Sequence, residues 1–142
     1  MYENILVPVD GSENSTSAVK EAIQLAKVFD AKLQVVSIAT DQRYVQYGVT
    51  LGNDVMDSFE QAANKILDDA KKLIDAAGIK SETHFIIGIP KVQIAEKLPE
   101  ELNTQLTVIG KSGMNAISRA ILGSTTAYVV RHSNTNVFVV EE

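Results

Sequence analysis

Gly110, Lys111, Ser112 and Gly113 are followed, after nine residues, by Gly123 and Ser124. An apolar run, Leu106 to Ile109, precedes the set, and a helical pattern begins near Ser124. A glycine pair that leaves a strand, then a Gly-Ser that opens a helix, presents backbone N–H groups with no Cβ in the way. That is how a chain grips phosphate oxygens. Each glycine also has a plainer reading, a turn at positive φ or close helix–strand packing. The full spacing, with a strand before and a helix after, favours phosphate. Ser124 is expected to offer its hydroxyl to the anion, to cap the helix, or to do both. Lys111 reads first as a solvated surface lysine and second as a phosphate contact. The run Gly110-Lys111-Ser112 looks like the end of a P-loop, but that loop needs a glycine where this chain has Gln105, and the residues between are strand-like.

Asp10 is the second candidate. It follows the apolar run that ends in Val9 and precedes Gly11-Ser12. It is expected either to stabilise the turn into the first helix or to meet a nucleotide. A bare carboxylate beside a triphosphate is repelled unless it bonds a ribose hydroxyl or the base, or shares a divalent cation such as magnesium. His84 and His132 show no Ser–Asp arrangement that would make a triad, and they form no i, i+4 metal pair. Met114, Ile117, Ile121 and Leu122 are apolar enough to close over a ligand, to pack on the sheet, or to meet a second subunit, and the sequence does not choose.

Composition narrows the field. The chain has 142 residues, no cysteine and a net charge of −5. That length suits one domain over 1–142, able to hide roughly 68–70% of its unfolded surface. Without cysteine there is no disulfide and no thiolate metal site. No apolar stretch approaches the roughly 20 residues of a membrane span, and the start Met1-Tyr2-Glu3-Asn4-Ile5 does not read as a signal peptide. A cytoplasmic protein is expected. The acidic balance and the lack of a basic stripe argue against direct nucleic-acid binding. An anionic ligand must then be held by local backbone dipoles rather than by the overall field.

Strand-like and helix-like patterns alternate throughout. Asn4 to Val9, Leu33 to Ile38, Lys80 to Ile87, Leu106 to Ile109 and Asn136 to Val140 read as strands. Lys80 to Ile87 alternates partially, which suits a sheet edge. Helical periods run through Ala18–Phe29, from Asp54 to a stop at Gly78, from Pro90 through Leu98, and over Ser124–His132. Pro99 should end or kink the third of these. Thr40 to Asn53 has no clear period and reads as a long mobile loop. The alternation predicts an α/β fold, a parallel sheet with helices on both faces. Ligands of such sheets bind beyond the carboxyl ends of the strands, where strand order reverses. If strands one and four are neighbours there, Asp10 and the glycine loop share one crevice.

These residues resemble the universal stress protein family, specifically its ATP-binding branch. The G-x2-G-x9-G-[S/T] signature of that branch is met by Gly110, Gly113, Gly123 and Ser124. The start Ile5-Leu6-Val7-Pro8-Val9-Asp10-Gly11-Ser12 and the ending Tyr128-Val129-Val130-Arg131-His132 are also similar to that family, so the resemblance covers essentially the whole chain. It implies an open five-stranded parallel sheet in the order 3-2-1-4-5, a Rossmann-like adenine-nucleotide-binding fold. It implies ATP, ADP or AMP as cofactor, possibly with magnesium. Pro8, Val9 and Asp10 would then meet the adenosine end, and the backbone of Ile38 would contact adenine. Gly110, Lys111, Ser112, Gly113, Gly123, Ser124 and Thr125 fall at or beside the phosphate positions. The resemblance further implies a homodimer through the last strand. Asn136 stands where members often carry proline, and Pro99 is also unusual. Nucleotide would order the stretch from Gly110 to Gly123 and change a surface that partners read. The rival expectation is an enzyme, a slow magnesium-dependent ATPase or a protein that phosphorylates itself. A scaffold that has lost its ligand is the third.

Overall fold

The computed structural model describes residues 1–40, 48, 52–113 and 121–141. Most of the loop expected over 40–53, and Met114 and Ile117 of the glycine-rich stretch, lie outside the described residues. Five strands form one sheet: β1 (Asn4–Pro8), β2 (Lys32–Ala39), β3 (Ser81–Ile87), β4 (Leu106–Gly110) and β5 (Asn136–Val140). Their order is β3-β2-β1-β4-β5, and every neighbouring pair is parallel. The order reverses between β1 and β4, where Ile5 pairs with Leu106.

The central strands β1 and β4 read as largely apolar runs because both of their faces are covered. Successive side chains point to opposite sides. Ile5, Val7, Leu33, Val35, Leu106 and Val108 pack under helices α1 (Glu13–Phe29) and α2 (Asn53–Ala76). Leu6, Val36 and Ile109 pack on the other side against Ile94, Ala95, Leu98 and Val129. Ile5, Leu6 and Val7 retain no exposed surface, and burial of each such side chain is worth about 1.5–3 kcal/mol. β3 is an edge strand, and its half-buried pattern agrees with its partial alternation.

The second face is built by α3 (Pro90–Val92), a π-helical turn (Gln93–Lys97), α4 (Leu98–Glu101) and α5 (Ser124–His132). Pro99 does not end this helical segment, which runs on to Glu101. The ladder changes instead. A proline at position 99 has no N–H for the carbonyl of Ala95 and would clash with it in a regular α-helix. The preceding turn widens, so the Leu98 N–H donates to the Gln93 carbonyl, five residues back. The freed Ala95 carbonyl accepts from the Asn134 N–H at 3.1 Å. Among the described residues no helix is long and apolar enough to cross a membrane.

Candidate functional site

A cavity of about 590 Å³ opens at the carboxyl ends of β1 and β4, at the reversal point of the sheet. One end is apolar, walled by Val36, Ile38, Pro90 and Ile94. The other end is polar, with Asp10, Ser15, Ser112, Ser124, Thr125 and Thr126. Gly110, Gly113 and Gly123 lie between side chains on the same wall. Of the sequence candidates, Pro8, Val9, Asp10, Ile38, Gly110, Ser112, Gly113, Gly123, Ser124 and Thr125 all reach this cavity. Lys111 does not: its Nζ lies 3.1 Å from Glu141 Oε1 while its N–H donates to the Val140 carbonyl. Ile121 and Leu122 also line the cavity, and Ile121 is exposed.

The loop after β1 is locally determined. Asp10 Oδ1 accepts from the Ser12 N–H at 2.9 Å, the turn that a short acidic side chain favours. Ser12 is the N-cap of α1, and its Oγ accepts from the Ser15 N–H at 3.1 Å. Ser15 Oγ in turn donates to the Ser12 carbonyl at 3.0 Å. The turn reading of Asp10 is therefore satisfied through Oδ1. The side chain remains exposed, and its other oxygen faces the glycine loop.

The glycines are required by close approach. A Cβ on Gly110 would stand 2.8 Å from the backbone oxygen of Asn14, so a side chain there would push the first turn of α1 off β4. Packing and a place on the cavity wall are both true of this residue. A Cβ on Gly113 would stand 2.6 Å from Asp10 Oδ2. Bare backbone at 113 is what lets the loops after β1 and β4 meet. Gly123 closes the motif through its N–H, which donates to the Lys111 carbonyl at 2.9 Å.

Gly123, not Ser124, occupies the N-cap of α5, and among the described residues no side chain caps that helix. Ser124 is its first helical residue. The free N–H groups of the first turn, with the positive end of the helix dipole, therefore stand at the polar end of the cavity. Among the described residues Asp10 is the only charged side chain on the wall, so the attraction they offer an anion comes from the backbone.

Thr126 and Ser15 were not singled out by sequence. Thr126 is 3% exposed, and its Oγ1 donates to the Gly110 carbonyl at 2.8 Å, fixing α5 to the end of β4. The apolar part of the wall also went unread at Pro90 and Ile94, although their i, i+4 spacing places both on one helical face. His84 lies away from the cavity, with Nε2 2.7 Å from Gln34 Oε1. Among the described residues there is no group of three or more His, Cys, Asp or Glu side chains that could hold a metal ion. Asp10 could give magnesium one ligand, and the rest would have to come from the ligand and water.

A parallel sheet in this order, with a cleft at its reversal point, defines a doubly wound α/β protein of the Rossmann-like class. Residues 1–141 match the Universal stress protein family. A putative universal stress protein of Staphylococcus aureus (strain USA300) is 37% identical over 140 residues, which is 98% of this chain and 84% of that protein. A solved universal stress protein in complex with cAMP is 32% identical, with a TM-score of 0.75 over 98% of this chain and 97% of the other. The solved hypothetical protein MJ0577 shares the fold, with a TM-score of 0.87 over 99% and 96% of the two chains, at 24% identity. The chain belongs to the universal stress protein family.

Proposed function

We propose that this chain is an ATP-binding universal stress protein, a nucleotide-responsive cytoplasmic regulator of stress resistance that acts as a homodimer. In this reading residues 1–142 work as a single domain. The observation that carries it is the pairing, in one cavity, of an apolar slot with an uncapped helix N-terminus. Adenine is flat and weakly polar and suits the walls of Val36, Ile38, Pro90 and Ile94. Phosphate oxygens suit the N–H groups at Ser124 and Thr125 and the bare backbone at Gly113. Asp10 then belongs beside the ribose, where a carboxylate accepts from hydroxyls. Magnesium would be held chiefly by phosphate oxygens, with Asp10 as the one acidic group among the described wall residues. The relative solved with cAMP, at 32% identity, supports an adenine nucleotide as the ligand.

The homodimer is supported by the free edge of β5. Phe138 is 38% exposed there, while Asn136, a departure from the proline that members often carry, donates to the Tyr2 hydroxyl of its own chain at 3.0 Å. Nucleotide acts as a signal only if two states of the protein bind it unequally.

The test is direct. Freshly purified protein is denatured, and the released small molecules are read by absorbance and mass spectrometry. Calorimetry with added ATP follows. An adenine nucleotide in the supernatant, or ATP binding by the empty protein, is expected. An empty pocket that also ignores ATP overturns the proposal. Gly113→Val sharpens the assignment. Its side chain must displace the Asp10 carboxylate, and ATP affinity should fall at least about tenfold, or about 1.4 kcal/mol, in a protein that still folds. Unchanged affinity would remove the phosphate from this loop.

A further inference from the structure

We propose that Asn14 is a positioning residue that holds the Ser112 hydroxyl as a hydrogen-bond donor toward the anionic end of the ligand. This rests on the nucleotide reading given above. Asn14 sits in the first turn of α1 and is not on the cavity wall, whereas Ser112 is. Asn14 Nδ2 donates to Ser112 Oγ at 2.8 Å across 98 residues of sequence. The contact is possible because Gly110, directly against the Asn14 backbone, has no side chain.

The chemistry follows from counting protons. A serine hydroxyl has one proton and two lone pairs. The Asn14 amide fills a lone pair and, itself bringing a proton, cannot accept the serine's. The Ser112 proton is left for an acceptor on another side, and the cavity lies there. Donation into an oxygen also strengthens that oxygen's own O–H as a donor. The loop is thus set from two directions by one short segment: Asp10 against Gly113, and Asn14 on Ser112. An acceptor at position 14 would reverse the arrangement, drawing the Ser112 proton away from the ligand.

The experiment compares ATP with adenosine, the same ligand without its anionic tail. Calorimetric titrations are run on the full chain and on Asn14→Ala and Asn14→Asp. The aspartate variant matches asparagine in shape, and a carboxylate in a first helical turn favours folding, so a binding loss there is not a folding loss. Wild-type protein should bind both ligands. Asn14→Ala should weaken ATP on the order of threefold to tenfold and leave adenosine unchanged. Asn14→Asp should weaken ATP further, again sparing adenosine. Equal losses for the two ligands, or no loss for either, in a chain whose wild type binds ATP would overturn the role of Asn14 alone. A wild type that ignores ATP overturns the nucleotide reading and this role with it.

Discussion

Two of the helix N-termini that border the cavity, those of α1 and α5, use their unpaired N–H groups in opposite ways. α1 has a partner of its own: Ser12 Oγ accepts from the Ser15 N–H, and Glu13 adds negative charge to the first turn. α5 has a glycine at the cap, no side-chain partner and no acidic residue in its first turn. Both helices point the positive end of a dipole at the same cleft. Only α5 leaves it uncompensated. The lesson is that dipole direction alone does not mark an anion site; what matters is whether the chain has already filled it.

This contrast can be abolished by one substitution. Ser124→Glu gives α5 the acidic first turn that α1 has. A carboxylate there should repel the phosphates, and ATP affinity should drop more than about tenfold, above 1.4 kcal/mol, by calorimetry. Helix stability should hold or rise slightly. If ATP binds the variant as it binds the parent, α5 is not the anion-holding terminus.

The reciprocal change acts on α1. Ser12→Ala removes its cap and should cost about 1 kcal/mol of stability, seen as a lower urea midpoint. ATP affinity should change less than in Ser124→Glu. A larger loss of binding than of stability would mean that the capped terminus also holds ligand.

The smallest effect lies on the sheet edge, remote from both termini. Lys32 hydrogen-bonds and attracts Glu82, holding its carboxyl below the ordinary 4.5. The pair therefore contributes stability above pH 4.5, and that contribution is lost as pH falls through the depressed value. Both side chains are well exposed, so the contribution is smaller than that of the Ser12 cap. Glu82→Gln should flatten the acid limb of a stability-versus-pH curve slightly and leave ATP binding alone. A matching change in ATP affinity would join the edge to the site.

Much of this was legible from sequence because its causes are local. Apolar runs place four of the strands and partial alternation the fifth, Lys80 to Ile87, and Gly110, Gly113 and Gly123 all lie on the cleft wall. The strand order came from family resemblance, and the sheet has it. What escaped depends on distances that only folding sets. Thr126 matters because α5 lies against the end of β4, and Lys111 turns away because Glu141, 30 residues on, is its partner. The cap of α5 was expected at Ser124 because serine is the better capping residue; Gly123 takes the place because its N–H is tied to the Lys111 carbonyl. Pro99 was expected to stop or bend its helix, and the sequence carries no sign that Asn134 would accept the leftover task.

That rearrangement ties two parts of the molecule together. The oxygen that an ordinary helix would spend on itself is fastened to the lead-in of the outermost strand, one residue from the Ile94 wall of the cleft. The rivet is main chain to main chain, so among replacements at these two positions only proline at 134, which lacks the donor N–H, deletes a partner. The outer edge of the sheet is thus held, by main chain alone, to the helical segment that carries the Ile94 wall of the cavity.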